Sequence, residues 1–444
     1  MKKQLETLLA QITRREFPNL RKEISDKLAK CQNELDNLGP ARPGEREQRG
    51  YLSAIARHFE DLTRGSINTQ YSHRFFDDSE TRLITQIVNL TGVFSNSFQK
   101  YGQLRHFEDI ESTTPPPPEA TPPVEEAFED KYIEPEPIEP QIFIRPSSGR
   151  MSFEFLEHVR GFLENYGSVI NDEYPELGDI IPEQTKIRTP QDGVMEWIEH
   201  LYFQSRGMDL GSFSPDLLSV AFGEQTSQWE QMVRVYMGEV IRYIHHFVVK
   251  ALHTVCADDD IARGIWSAII DPLIQRYRSG LEQAILLVNV ERYQRPFTLN
   301  RSFNEEVQAV WGKRIREMLK PRAWWNKKSY GDDRMVINLD DVLHTTTAKT
   351  NVQHLEEEIH DKLRSYYHLA VDRFIDNIFQ QAIGYHLLIG PSSPLKVFSQ
   401  EWVINLEAEE LDLIAGEKEA AKRRRQILTK KRRDLKTALD ILKI

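Results

Sequence analysis

An all-α fold, drawn as an elongated antiparallel helical bundle with an acidic Pro-rich insertion, is what this sequence predicts. Three observations carry the prediction. Apolar residues recur at three- and four-residue steps over stretches of 30 residues and more, the signature of amphipathic helices. Glycine is scarce, 22 of 444 residues, while 28% of the chain is charged. No run alternates apolar and polar residues, and no Asn-Gly hairpin signal is present. Helices this long exceed the usual ~11–12 residues and need neighbours of similar length to bury them, hence the bundle.

The elements follow in order. Leu5, Leu8, Ile12, Leu20, Ile24, Leu28, Cys31, Leu35 and Leu38 predict a first helix, kinked or reopened at Pro18 and stopped by Gly39-Pro40. Tyr51, Ile55, Phe59 and Leu62 predict a second; Leu83 through Tyr101 predict a third. Residues 108–140 then hold nine prolines and eleven acids with Lys131 the only base, a charge of −10 in a chain whose total is −11. Proline at that density and like charges predict a disordered linker. Its PPPPEATPP string also suits a polyproline II ligand. Beyond it, residues 153–170 read as a helix, 174–190 as a loop, and 194–204 as a helix ending near Gly207. Residues 216–256 read as one very long helix and 261–290 as another, kinked at Pro272. A shorter helix covers 303–319, residues 321–350 read as an exposed excursion, and two helical stretches, 352–388 and 407–442, close the chain.

Chemistry is hard to find in this pattern. Gly312-Lys313 lacks the spacing of a phosphate loop, and Asn326-Lys327-Lys328-Ser329 has serine where a guanine-reading carboxylate belongs. His354 and His360 are six residues apart, where a zinc helix needs four. Cys256 lies near His253 with no orienting third group, and reads as a small core thiol. No catalytic residue, metal site or cofactor site is therefore expected. Two cysteines make no disulfide framework. No apolar run reaches ~18 residues, the N-terminus does not read as a secretory signal, and a pI near 5.7 argues against nucleic acid. The expectation is a cytoplasmic protein, peripheral at membranes at most.

Two charge features stand out. Arg423, Arg424 and Arg425, with Lys430, Lys431, Arg432 and Arg433, form a candidate electrostatic patch for an acidic membrane or for the acidic linker; a solvated helix face is the plainer reading. Trp324, Trp325, Lys327 and Lys328 set aromatics beside lysines, a combination that suits a lipid headgroup interface.

Longer strings are more specific. WIEHLYFQSRGMDLGSFSPDLLSVAFGEQTSQWEQM starts at Trp197, followed by LLVNVERYQRPFTLNRSFNEEVQ with its Arg-Pro-x-Thr-x-Asn core. SYYHLAVDRFIDNIFQQAIGYHLLIGPSSPLKVFS and LDLIAGEKEAAKRRRQIL come near the end. Together they resemble the stalk of the dynamin superfamily, in the form seen in fungal dynamin-like GTPases. The first two strings resemble the middle domain, and residues 351–444 the GTPase effector domain. The resemblance implies an organisation into 1–107 (first part of the middle domain), 108–150 (acidic linker), 151–320 (rest of the middle domain), 321–350 (exposed loop) and 351–444 (effector-like helices). It also implies a stalk that cross-pairs with other stalks, and an assembly loop at Arg206, Gly207, Asp209, Gly211 and Phe213. The excursion at 321–350 stands where relatives carry a lipid-binding domain or a basic loop.

The family's GTP-binding motifs have no counterpart in these residues. The leading expectation is thus a non-enzymatic stalk protein that associates with itself or with a full-length dynamin-like GTPase and modulates its polymerisation at membranes. A second expectation is a piece of a GTP-hydrolysing protein whose head lies outside this chain. A third is a helical membrane or cytoskeletal scaffold unrelated to GTPases.

Overall fold

The computed structural model describes residues 2–107, 174–178, 180, 190, 192–207, 212–326, 334–340, 342 and 350–442, with backbone alone for 2–16, 215, 325–326 and 334–335. The acidic linker and the helix expected over 153–170 lie outside the described residues. The described residues are dominated by helices: α1 (Lys2–Asn37), α2 (Glu45–Ile67), α3 (Leu83–Tyr101), α4 (Val194–Ser205), α5 (Pro215–Gln225), α6 (Trp229–Val255), α7 (Asp259–Tyr293), α8 (Ser302–Leu319), α9 (Asn351–Asn377), α10 (Gln400–Asn405), α11 (Ala408–Ala415) and α12 (Glu419–Ile441). The all-α class holds. The chain folds as two compact units, the first from Met1–Phe75, His246–Ile274 and Pro394–Ile444, the second from Phe76–His245 and Gln275–Ser393.

In the first unit α1 and α12 pair antiparallel. Cys31 and Leu35 pack on Leu428, with Leu38 and Leu435 at the margin, and Cys31 Sγ donates to the Leu428 carbonyl at 3.3 Å. α2 buries Leu52, Ile55, Phe59 and Leu62, spaced at three- and four-residue steps along one face; Phe59 meets Phe398 edge-on at 5.6 Å. Arg49 on the same helix donates to the carbonyls of Val403, Ile404 and Leu406. Those carbonyls close α10, where a cation complements the helix dipole.

The second unit has an aromatic core. Phe94 and Phe98 of α3 meet Tyr236 and Trp229 of α6, and Trp229 lies against Phe374 of α9 at 4.7 Å. The indole does not leave its N–H orphaned, because Nε1 donates to the Gly102 carbonyl at 3.0 Å. Gly280 on α7 lets the segment after α9 approach closely: a Cβ there would come within 2.5 Å of Leu387.

Several sequence expectations change. The helix read over 216–256 breaks between α5 and α6, where the Ser227 and Trp229 N–H groups bond the carbonyls three residues back, Glu224 and Thr226, at 3.0 and 3.1 Å. The stretch 407–442 breaks at Gly416, whose N–H closes α11 onto Asp412. As read in the sequence, α7 carries Pro272 inside a single helix, and α1 runs through Pro18 without reopening there. α9 passes into π-helical turns over Ile378–Ile389. The excursion read as free of strands holds two short ones, β1 (Trp324–Asn326) and β2 (Arg334–Val336), paired antiparallel with Trp324 opposite Val336.

Candidate assembly surface

Three groups of residues singled out in the sequence fare differently. At the candidate assembly loop, α4 ends at Ser205, Arg206 and Gly207 are exposed, and Asp209 and Gly211 lie outside the described residues. Phe213 is half-buried, with the Lys362 ammonium 5.2 Å from its ring centroid. Trp324 is half exposed on β1, Trp325 is placed by its backbone opposite Met335, and Lys327 and Lys328 lie outside the described residues.

The basic run on α12 divides into two sets. Arg424 pairs with Glu34 at 2.8 Å, Arg432 reaches Gln32, and Arg425 holds Glu417 and the carbonyls of Leu38 and Gly39. These three tie α12 to α1 and its C-terminal turn. Arg423, Lys430, Lys431 and Arg433 face solvent. The patch read as one electrostatic unit is therefore half a structural seam.

Among the described residues, one exposed apolar row in the second unit was singled out by none of those signals. Leu286, Val290 and Tyr293 follow one another along α7 at four- and three-residue steps, and all are exposed. The row continues into the α7–α8 connection at Phe297, 69% exposed, and Leu299, 85% exposed. α5 lies alongside, tied by Arg295 to Asp216 at 2.9 Å and by Arg292 to the Gly223 carbonyl. Beneath the connection is a groove of about 560 Å³ lined by Leu218, Phe297, Leu299, Phe303, Leu363 and Tyr366, among others.

The backbone of this connection is fixed even though its side chains are presented outward. Phe297 N donates to the Tyr366 hydroxyl at 3.3 Å, and Arg373 donates to the Phe297 carbonyl at 3.3 Å. Arg373 also binds the Tyr366 hydroxyl and forms a short ion pair with Glu291. Burial, with the Glu291 charge beside it, pushes the Tyr366 phenol up, so it remains a neutral hydroxyl. Just before α8, Asn300 Oδ1 accepts from Ser302 N at 3.1 Å. Exposed apolar side chains on a held backbone lose little conformational freedom on binding, which favours docking. A contiguous exposed apolar surface is the kind of feature that marks an interaction site. The Arg-Pro-x-Thr-x-Asn string carried this signal, since it brings Phe and Leu into a polar connection.

Reactive chemistry is not assembled around the other candidates. Cys256 is buried and donates to the Asp258 carbonyl, and burial pushes its thiol up, the reverse of an activated nucleophile. His360 is buried with Nδ1 3.0 Å from Asp361, while Glu358 pairs with Lys362. Among the described residues no group of three His, Cys, Asp or Glu side chains is placed to hold a metal ion. No described helix is long and apolar enough to cross a membrane.

Residues 1–114 match the family model of the dynamin central region. The match supports a dynamin-family stalk, and it covers α1, α2 and α3. Searches of curated proteins and of solved structures return no match.

Proposed function

We propose that these residues form a dynamin-type stalk that acts by binding a second stalk, its own copy or that of a full-length dynamin-like GTPase, rather than by catalysis. The observation carrying this reading is the α7–α8 connection, where Tyr366 and Arg373 hold the backbone of Phe297 and leave its ring exposed. Joined to the central-region match, it gives the stalk a built contact surface. In this reading residues 351–444 play the part of the effector domain, and pairing alters the partner's polymerisation and thereby its GTP turnover. The same contact would serve a longer chain in which a GTPase domain precedes these residues. Peripheral lipid contact at the hairpin belongs to the proposal as well, because Trp324 is half exposed there.

Sedimentation of the chain across concentration, alone and mixed with a full-length dynamin-like GTPase, tests the reading while GTP turnover is followed. Dimers or larger species, weakened in Phe297→Ser/Leu299→Ser, are expected, with turnover altered only when the partner is present. A monomer at every concentration that leaves the partner's turnover unchanged would overturn it. Vesicle co-sedimentation of Trp324→Ala checks the lipid contact separately, with reduced binding expected.

A further inference from the structure

The Pro-rich string PPPPEATPP, residues 115–123, has no part in stalk pairing. A polyproline II strand makes no internal hydrogen bonds, and proline has no N–H to donate. Such a string therefore offers a partner prolyl rings and free carbonyls, and it docks in aromatic-lined grooves. The groove beneath the α7–α8 connection has that character. Phe297, Phe303 and Tyr366 line it beside Leu299, and Phe303 stands edge-on to Tyr366 at 6.4 Å. Donors for carbonyls line it as well. Arg301 and Asn304 are exposed there, and among the described residues their side chains make no hydrogen bond or ion pair. Asn300 accepts from Ser302 through Oδ1 and keeps its amide N–H groups unspent. The Tyr366 hydroxyl is taken by Phe297 and Arg373, and the Lys362 ammonium by Glu358, so neither polar group is open to a ligand.

The chain brings the string to this place. Leu104 N donates to the Gln225 carbonyl at 2.9 Å and Arg105 N to Gln225 Oε1 at 3.2 Å, which ties residues 104 and 105 to the end of α5. Leu218 lines the groove from seven residues earlier on that helix, about 10 Å along its axis. Phe107 packs on Tyr367 of α9 at 5.6 Å, on the same turn as the groove residues Leu363 and Tyr366. Pro115 is ten residues beyond Arg105, a reach of up to about 33 Å at ~3.3 Å per residue. We propose that residues 115–123 dock in cis in this groove, with prolyl rings on Phe297, Phe303 and Tyr366 and carbonyls accepting from Asn300, Arg301 and Asn304. A tether this short sets an effective concentration on the order of millimolar, so a weak contact suffices. The docking is measured with no second stalk present, so it stands or falls separately from stalk pairing.

Hydrogen exchange across 296–304, followed in dilute full-length chain, tests this. Replacing residues 115–123 by a Gly/Ser stretch of equal length should speed exchange there roughly ten-fold, for a contact with a dissociation constant of about 0.1 mM, and leave α6 unchanged. A free peptide of residues 112–126 at millimolar concentration should restore protection in the replaced chain and change nothing in the natural one. Asn304→Leu should weaken that peptide roughly five-fold in the replaced chain and, in the natural chain, speed exchange across 296–304 without touching α6. Exchange that is the same with and without the string, or a peptide that protects both chains equally, would overturn the proposal. So would a peptide indifferent to Asn304→Leu. Protection in the natural chain that disappears on dilution would make the occupant a second copy and overturn it too.

Discussion

Trp229 and Trp311 sit on helices of the same unit and show what two kinds of seating do. Trp229 is fully buried at the start of α6, ringed by Phe98, Phe222, Tyr367 and Phe374, with its N–H satisfied by Gly102. Trp311 is 55% exposed on α8, a helix attached to α9 through ion pairs. The first arrangement removes apolar area from water at ~25 cal/mol per Å² and is not weakened by charge screening. The second depends on charges across the seam with α9, with Phe303 edge-on to Tyr366 beside them. One helix is seated by a buried aromatic cluster, the other by an ion-paired seam with its neighbour.

The sharpest way to break the comparison is Trp229→Ala. It opens a cavity among four aromatic rings and strands the Gly102 carbonyl, so a loss of about 3–5 kcal/mol is expected. Denaturant unfolding should show that loss in the whole second unit. A change confined to α3 would mean that the aromatic core is less cooperative than its packing implies.

Arg314→Ala comes next and should act locally. Asp361 has only 5% of its side chain exposed and would be left without its guanidinium partner. Exposing α8 costs less than opening a core, so a loss of about 2–3 kcal/mol is expected, read as faster exchange in α8 with α6 nearly unaffected. Acid should reproduce part of this. Burial works to raise the Asp361 carboxyl, yet the hydrogen bonds from His360 and Arg314 and the Arg314 charge outweigh it and hold it below the usual carboxylate range. A depressed folded-state value means the stabilisation is complete above the unfolded value, about 3.9, and is lost as pH falls through the lower folded one. Exchange in α8, corrected for the intrinsic rate, should therefore rise below about pH 4. If α6 opened first on acidification, the polar seam would not be the weaker seat.

The same contrast explains what was readable in the sequence. α2, α3 and α6 follow from apolar spacing alone, because burial on one face leaves a period in the chain. The break at Thr226 does not, since backbone bonds that shorten to three residues at Ser227 and Trp229 leave the apolar period running straight past it. The hairpin at Trp324 was hidden by its length, three residues per strand, too short for alternation to register. α8 was legible as a helix, but its dependence on Arg314 and Asp361 was not, because those residues are 47 apart in sequence. At the assembly surface, periodicity marked Leu286 and Val290 as helical without saying that they face outward. On α12, seven bases looked alike until Glu34, Gln32 and Glu417 claimed three of them.

The smallest effect on stability should come from Phe297→Ser/Leu299→Ser, and there the comparison is most useful. Both side chains are mainly in water, and the backbone of the connection is held from elsewhere by Tyr366 and Arg373. Unfolding should shift by no more than about 0.5 kcal/mol, in contrast to the cavity left by Trp229→Ala. Self-association should nevertheless weaken, because exposed aromatic and aliphatic anchors on a fixed backbone are what a docking partner buries. A variant that keeps its stability and loses its dimer assigns Phe297 and Leu299 to a partner. A variant that loses both would show the two side chains closing the groove over Leu218 and Leu363, and the surface for stalk pairing would have to be sought on another face.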